Sequence, residues 1–473
     1  MKLVAALNDF LWAWGVSIPI LIFGIFATIV LRFPALRMFK RMIGAFRAKA
    51  EGGGASPFGV LCLVVGGQIG TGNMVGVAAA ITTGGPGALF WMWVTAFLGM
   101  TTMFVETVLG QLFKEQNLDG TYRGGSAYYL AHGAKMKKLA VVAALVVAIG
   151  TGLINSMTHS NSITGSVQAI VPVNSIFMGV LLAVVTFAII MGGLKSLVKF
   201  MEAVVPFMAV GYIAIGLIIL ILNVTRIPEA VGMIVSAAFN PVAVGGGAVG
   251  FTVQQAFRFG MSRGVFSNEA GQGSCCYSSS SSSARHPVTQ GLLGSAAVAI
   301  DTLLVCTVTG MIVLLSGVDF TVMSGAELTQ AAFAHFLGGA APWVIAVALF
   351  FFAYTSLLAS IYCSQNSLKF IFGDNKKIIY AYFALQLACV VFAPLIAVGD
   401  MFLLVDLLCG LMSLCNLVAL FYLFKPVKAT LKDYEDKLAA GDKDPSFDWN
   451  AFRNSYGLEP FKDLSNLHKE PRS

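Results

Sequence analysis

The sequence predicts an all-α integral membrane protein with about eleven transmembrane helices: one extra N-terminal helix, then a 5+5 inverted repeat in which helices 2 and 7 are broken. Three observations carry this reading. Of the 473 residues, 57% are hydrophobic and 11% charged, against about 25% charged in a soluble domain. The apolar runs are continuous and about twenty residues or longer, the length a helix needs to cross a bilayer. Barrel strands would instead alternate over about ten residues. Two of the runs are interrupted by glycines and side-chain amides at corresponding places in the two halves, which is the mark of an inverted repeat.

The first span covers 11–32. It has no short apolar core followed by a small-residue cleavage site, so it reads as a retained helix and not a signal peptide. The stretch "RFPALRMFKRMIGAFRAKA" follows, with Leu36, Phe39, Met42, Ile43 and Phe46 at helical spacing among basic residues. It is either an amphipathic helix on the membrane surface or a plain basic loop. Further spans are expected near 56–83, 87–113, 138–170, 173–194, 198–224, 243–283 (interrupted), 287–316, 338–372, 377–397 and 399–424. Lys and Arg collect in alternate connections: Arg32 to Lys49, Lys114 to Lys138, Lys195 and Lys199, Arg285, Lys376 and Lys377, and the tail from Lys425. By the positive-inside rule this puts the N-terminus outside and the C-terminus in the cytoplasm, a multi-pass arrangement expected in the plasma (inner) membrane.

Four segments result: 1–55, the first helix and its basic segment; 56–224 and 225–424, the two five-helix repeats; and 425–473, a charged cytoplasmic tail too short for a catalytic domain. The net charge of +7 belongs to this topology and is no nucleic-acid signal. The eight cysteines are scattered, with no C-x-x-C pair and no histidine cluster. They read as packed free thiols and not as disulfides or metal ligands.

The broken segments are "VVGGQIGTGNMVGVAAAITTGG" (64–85) and "RFGMSRGVFSNEAGQGSCC" (258–276). Where a helix unwinds in lipid, its N–H and C=O groups need partners. A half-helix N-terminus offers N–H groups to an anion, and freed carbonyls suit a sodium ion. An α-amino acid needs both, donors for its carboxylate and acceptors for its ammonium. Close helix packing on small residues is the competing explanation of the glycines. Gln68, Thr71, Asn73, Asn268 and Glu269 add more polarity than packing requires.

The stretches "GTGNMVGVAAAITTGGPGALFWMWVTAFLGM", "DGTYRGGSAYYL", "RGVFSNEAGQGS" and "HPVTQGLLGSAAVAIDTLLVCT" resemble the alanine or glycine:cation symporter family, over essentially the whole chain. The resemblance implies a leucine-transporter fold with one extra helix, and sodium-coupled uptake of small neutral amino acids. It implies that the N–H groups of Thr71 and Gly72 hold the substrate carboxylate and that Asn73 orients the loop or meets an ion. Phe266, Ser267, Asn268 and Glu269 would offer carbonyls to the ammonium. Thr355 and Ser356 match a hydroxyl pair that binds sodium with carbonyls of Gly66 and Ile69. Read without the resemblance, such a pair is as readily back-bonded to its own helix.

The chain departs from the family pattern at three places. His159 stands where a glutamine near the substrate is usual, and a titratable imidazole there makes transport pH-sensitive or reshapes selectivity. Ser360 falls where a tryptophan is common, which implies a larger pocket. "GGSAYY" replaces the usual Pro-Met after the glycine pair. The serine run 278–283, where the family has alanine, reads as the inner half of the seventh span, its hydroxyls bonded to the preceding turn. Glu106, Glu202, Asp301 and Asp406 are expected as structural acids bonded to neighbours, with proton relays the alternative.

Together these features predict a symporter, not an enzyme, working by alternating access as a monomeric transport unit. Na⁺ is its co-transported ion, no organic cofactor is needed, and its partners are amino acid, sodium and lipid. A proton-coupled or glutamine-selective symporter is the alternative within transport. A channel is disfavoured by two non-identical broken helices in one chain. An enzyme is disfavoured by the lack of H-E-x-x-H, G-x-S-x-G or a paired intramembrane aspartate motif.

Overall fold

The computed structural model describes residues 2–461 apart from 52, 118, 245–248 and 324. Residues 462–473 of the expected tail thus lie outside the described residues. Eight helices among the described residues are long and apolar enough to cross a membrane, nine if the bent pair Pro57–Gln68 and Gly72–Gly84 is one span. The all-α expectation therefore holds.

The chain begins with α1 (2–31), which widens at Leu11–Gly15. The basic stretch forms two short helices, Pro34–Arg37 and Phe39–Ala45. Met42 and Ala45 face inward while Leu36, Phe39 and Ile43 are exposed, as an amphipathic surface helix requires. The broken pair is α2 (Pro57–Gln68) and α3 (Val77–Gly84), bent by 46°. Then come α4 (Gly87–Leu112) and the small antiparallel pair β1 (Glu115–Gln116) and β2 (Tyr122–Arg123). Next are α5 (Lys137–Gln168), α6 (Ser175–Met191) and α7 (Gly193–Leu222). With 17 residues, α6 is about 25 Å long, short of the roughly 30 Å hydrocarbon core.

The second half opens differently from expectation. The seventh span, expected from 243, begins as a helix only at Val253. The chain instead makes α8 (Ile227–Phe239) and an antiparallel hairpin, β3 (Val242–Val244) and β4 (Val249–Phe251). The run 240–252 carries Pro241 and a Gly245-Gly246-Gly247 triplet, which oppose a helix. The expected positions 245–248 of that span lie outside the described residues. Helix α9 (Val253–Asn268) starts at Thr252, whose side chain and that of Gln255 cap each other's backbone N–H groups. After the break, α10 (Cys275–Ser279) is only five residues long.

The serine run therefore does not extend the helix to Arg285. Ser279, Ser280 and Ser281 turn their hydroxyls onto carbonyls of the preceding turn, at 3.4, 2.5 and 2.7 Å. Beyond Ser279 the backbone leaves the helix to pair with 51–55: Ala55 N–H donates to Ser281 O (3.1 Å) and Ser283 N–H to Ala55 O (3.0 Å). All six serines are buried.

The remaining helices are α11 (Pro287–Ser316), α12 (Gly325–Leu337), α13 (Ala341–Phe372), α14 (Lys376–Phe392) and α15 (Val398–Tyr422). Two helices follow in the tail, α16 (Phe424–Ala439) and α17 (Trp449–Ser455). The broken helices sit in the middle of the bundle. α9 and α11 pack along α4, and α2 packs against α7, α11 and α13.

The tail folds onto the end of the bundle where the serine run emerges. Phe447 N–H donates to Arg285 O (3.1 Å), and Arg453 Nη1 donates to Lys114 O (2.8 Å). Lys114 Nζ reaches Ser282 O (2.7 Å) and lies over the Tyr122 and Trp449 rings. His286 Nε2 lies 3.1 Å from Asp433 Oδ2, and Lys437 donates to the same oxygen.

Candidate functional site

The two breaks meet. At the first, Ile69 leaves the helix (φ −71°, ψ 93°) and the chain turns through Gly70 and Thr71 into a wide turn at Gly72–Gly76. Only glycine fits at 70, where a Cβ would lie 2.4 Å from Ser356 Oγ. At the second, α9 ends at Asn268 and Glu269 takes the left-handed conformation (φ 55°). That conformation is disfavoured for a residue with a Cβ. Gln68 Nε2 spans the gap and donates to Asn268 O at 2.6 Å. Thr71 and Gly72 are buried, and a Cβ on Gly72 would touch the Phe266 ring and Ser267 Cα at 3.3 Å.

Asp301 ties both breaks to α11. It sits, fully buried, in the π-type stretch Ala299–Cys306, a local widening often found at functional sites. Its carboxyl accepts from Asn73 Nδ2 (2.6 Å), Ser267 Oγ (2.9 Å) and Thr302 Oγ1 (2.6 Å). Asn73 Oδ1 in turn accepts the Gly70 N–H (2.8 Å). One aspartate thus fixes the first break through Asn73 and the second through Ser267. The sequence reading left Asp301 among structural acids; an acid within an apolar run was the signal, but which break it serves is a tertiary fact.

The expected sodium ligands converge in part. Ser356 Oγ lies 3.0, 2.9 and 3.3 Å from the carbonyls of Gly66, Gly67 and Ile69. Thr355 Cβ lies 3.3 Å from where a Gly66 side chain would begin, but its hydroxyl bonds back to Phe351 O (3.0 Å) and Phe352 O (3.1 Å). Ser356 therefore sits at the break while the Thr355 hydroxyl stays on its own helix. This cluster offers carbonyl and hydroxyl oxygens, the donor type that hard cations take. Among the described residues no group of three His, Cys, Asp or Glu forms a metal site.

His159 is buried next to the first break. Its Nδ1 is 3.5 Å from Thr71 Oγ1, and its Cε1 lies 3.2 Å from the Cβ position of Gly70. Its Nε2 has no partner. One turn earlier on α5, Asn155 Nδ2 faces Ser360 Oγ at 3.4 Å. Asn268 caps the second break through its Oδ1 on Ala270 N–H (3.0 Å), and its Nδ2 is unpartnered. Of the expected site residues, Gly66, Ile69, Thr71, Gly72, Asn73, His159, Phe266, Ser267, Asn268 and Ser356 lie at or next to the breaks, while the Thr355 hydroxyl turns to its own helix and Ser360 lies one turn further along α13, against Asn155. Asn155 and Asp301 were not among the expected ones.

Above and below this centre the bundle differs. Between the centre and the end remote from the basic segments, Arg263 and Asp406 form a bidentate, buried ion pair (2.9 and 2.7 Å). The guanidinium lies over the Phe402 ring (5.2 Å), which meets Phe266 edge-on. Toward the basic end, a cavity of about 580 Å³ is lined by Asn117, Asp119, Tyr362, Asn366, Lys369 and Asp374 among others. Tyr362 and Asn366 continue α13 beyond Ser360. Behind the second break, Asn416 Nδ2 donates to Gly271 O (3.0 Å) and to Glu106 Oε1.

The family model described as the sodium:alanine symporter family matches residues 1–449. A probable sodium/glutamine symporter of Bacillus subtilis is 35% identical over 461 residues, 97% of this chain and 95% of that one. A sodium/proton-dependent alanine carrier protein of Bacillus sp. (strain PS3) is 33% identical over 444 residues, 89% of this chain and 96% of that one. Among solved structures, a manganese transporter of Eremococcus coleocola matches with a TM-score of 0.52 at 14% identity over 85% of each chain, a likeness of fold alone. With a family model matched over nearly the whole chain and relatives of 33–35% identity aligned over about nine-tenths of it or more, the chain belongs to the sodium:alanine symporter family.

Proposed function

We propose that this protein is a sodium-coupled symporter that imports small neutral amino acids, alanine or glycine, alanine being the one that the family name carries. The observation that carries the reading is the Ser356 hydroxyl among the carbonyls of Gly66, Gly67 and Ile69, beside a break that packs at Gly72 against Phe266 and Ser267. Sodium is held by those carbonyls with Ser356, and by Thr355 once its hydroxyl rotates off its own helix. The substrate carboxylate meets the N–H groups of Thr71 and Gly72, and its ammonium meets carbonyls of the 266–268 stretch. Asn73 and Asp301 position the two breaks and do not touch substrate.

Counting α6 and the α9–α10 pair as spans gives eleven, with 56–224 and 225–424 as the inverted halves. The basic end is then cytoplasmic and the N-terminus outside. In that orientation the Arg263–Asp406 pair closes the outer side, while the cavity at Tyr362 and Asn366 opens inward, so the conformation is read as inward-facing. Transport alternates between this state and its converse as the halves rock around the fixed centre.

A proton-coupled reading draws on His159, whose Nε2 is buried without a partner. A competition panel of amino acids against labelled-alanine uptake, run with sodium and with choline, tests both. Uptake that needs sodium and is inhibited by neutral amino acids supports the proposal. Equal uptake in choline overturns sodium coupling, and uptake that follows a pH gradient alone favours the second reading.

A further inference from the structure

We propose that the cavity toward the basic end of the bundle is a second amino-acid site, one that takes the zwitterion of a small neutral amino acid from the cytoplasmic side without sodium. The inference rests on the proposed amino-acid substrate and on the basic end being cytoplasmic, and it adds a site separate from the one between the breaks.

The cavity has the room and the walls for a small ligand. Its volume of about 580 Å³ falls in the range of about 300–1,000 Å³ that small-molecule sites occupy. None of the residues assigned to the central site lines it. One wall is the end of α13, where Tyr362, Asn366 and Lys369 follow at four- and three-residue spacing and so share one face. A second wall is the loop between β1 and β2, which carries Asp119. Leu197 and Phe383 supply an apolar side.

The polar groups on these walls lack partners. Asn366 is buried, and its Nδ2, beside the Tyr362 hydroxyl, meets no acceptor in hydrogen-bond geometry. Asp374 and Asp119 are near enough to attract Lys369, yet neither forms an ion pair with it, and among the described residues Lys369 makes no hydrogen bond. Asp374 pairs with Arg123 instead (2.8 Å). Asp119 is held in place through Oδ1, which accepts the Thr121 N–H (3.0 Å) and hydroxyl (2.6 Å). Its Oδ2 makes no hydrogen bond among the described residues.

The charges decide what fits. Lys369 and Lys376 line the cavity together with Asp119 and Asp374, so the lining is balanced. A ligand of one sign, such as a phosphate headgroup or a simple amine, meets like charges as well as opposite ones. A zwitterion meets both. Lys369 Nζ and Asn366 Nδ2 supply donors to a carboxylate, Asp119 Oδ2 supplies an acceptor to an ammonium, and the apolar side receives a short side chain.

Equilibrium binding of labelled alanine to the purified full-length protein, in sodium and in choline, tests this. Two alanines per protein are expected in sodium and one in choline. Lys369→Met and Asn366→Leu are each expected to weaken the choline component at least about tenfold, the loss of one bond to a charged group. Both are expected to leave the sodium-dependent component within about threefold, while Ser356→Ala does the reverse. The second cavity variant covers the case in which the first does not fold. Propionate and ethylamine, which carry one charge each, are expected to displace alanine in choline at least about tenfold more weakly than glycine does. No binding in choline, binding there that the folded cavity variants leave unmoved, or displacement by propionate or glycerol phosphate as strong as by glycine overturns the inference. One alanine in both media, removed by Lys369→Met, supports the second site and overturns the sodium-dependent central site instead.

Discussion

Replacing Asp301 by alanine removes the carboxyl that joins both breaks to α11. The native carboxyl accepts from Asn73 (2.6 Å), Ser267 (2.9 Å) and Thr302 (2.6 Å). In the variant, Asn73 keeps the backbone oxygen of residue 301 (3.2 Å), and both Asn73 and Ser267 keep the Cys306 sulfur (3.3 and 3.2 Å). The donors are therefore weakened and not orphaned, so each lost inter-helix bond costs about 1 kcal/mol. The space left by a fully buried carboxyl adds roughly another 1 kcal/mol. The sum, about 3 kcal/mol, corresponds to roughly a hundredfold loss in the population holding both breaks in register. Sodium-dependent alanine uptake in proteoliposomes, normalised to folded protein by size-exclusion chromatography, reads this directly. Asp301→Asn is expected to fall less, since its remaining oxygen still accepts one donor. Thr302→Ala, which removes only the neighbour on the same helix, is expected to change uptake by less than about fivefold. An Asp301→Ala protein that transports within threefold of the native one refutes the positioning role.

Three further outcomes are expected. Ser356→Ala leaves the carbonyls of Gly66, Gly67 and Ile69 without their shared hydroxyl, and the sodium concentration for half-maximal uptake is expected to rise by about tenfold; an unchanged requirement contradicts the assignment. Breaking the Arg263–Asp406 pair by Arg263→Ala leaves a buried acid alone, at about 3–5 kcal/mol, and a second change, Asp406→Ala, is expected to recover part of the loss in thermal stability. Strict additivity of the two changes would show that the pair is not coupled. At the tail, burial pushes the His286 imidazole down to about 4, outweighing the pull of Asp433, with Lys437 opposing protonation as well. Its folded value lies below its ordinary one, so its contribution is complete above pH 6.5 and is lost as pH falls toward 4. The tail is expected to become protease-sensitive across that window, with at most about 3 kcal/mol at stake; His286→Gln, which cannot titrate, should flatten the dependence, and equal sensitivity at pH 7 and pH 4.5 in the native protein would contradict it.

The parts of the structure legible in the sequence are those set by short-range chemistry. Continuous apolar runs dictated membrane helices because only helices and closed barrels satisfy the backbone in lipid, and these runs are about twice the length of a barrel strand and do not alternate. The breaks were visible because Gly66 to Asn73 and Asn268 to Gly273 place glycines and amides where an apolar helix would have neither. The illegible parts depend on distant partners. The serine run leaves its helix after Ser279 because Ala55 and Glu51, more than two hundred residues earlier, offer backbone partners. Serine itself permits helix or extended chain almost equally. Asp301 was visible as an acid in an apolar run, but its grip on Asn73 and Ser267 comes from the packing of α3, α9 and α11. Thr355 and Ser356 look alike in sequence, yet one hydroxyl turns to its own helix and the other to the break. Asn155 lay unremarked because an asparagine in a long apolar helix points nowhere until its neighbour across the bundle is known.

The most direct test of the central claim is accumulation in proteoliposomes energised by a sodium gradient alone. With sodium outside and none inside, and with no proton gradient, labelled alanine or glutamine should rise inside above the external concentration and collapse when the sodium gradient is dissipated. Uptake that only reaches equilibrium, or that is as large with choline replacing sodium, would contradict sodium-coupled transport by this protein.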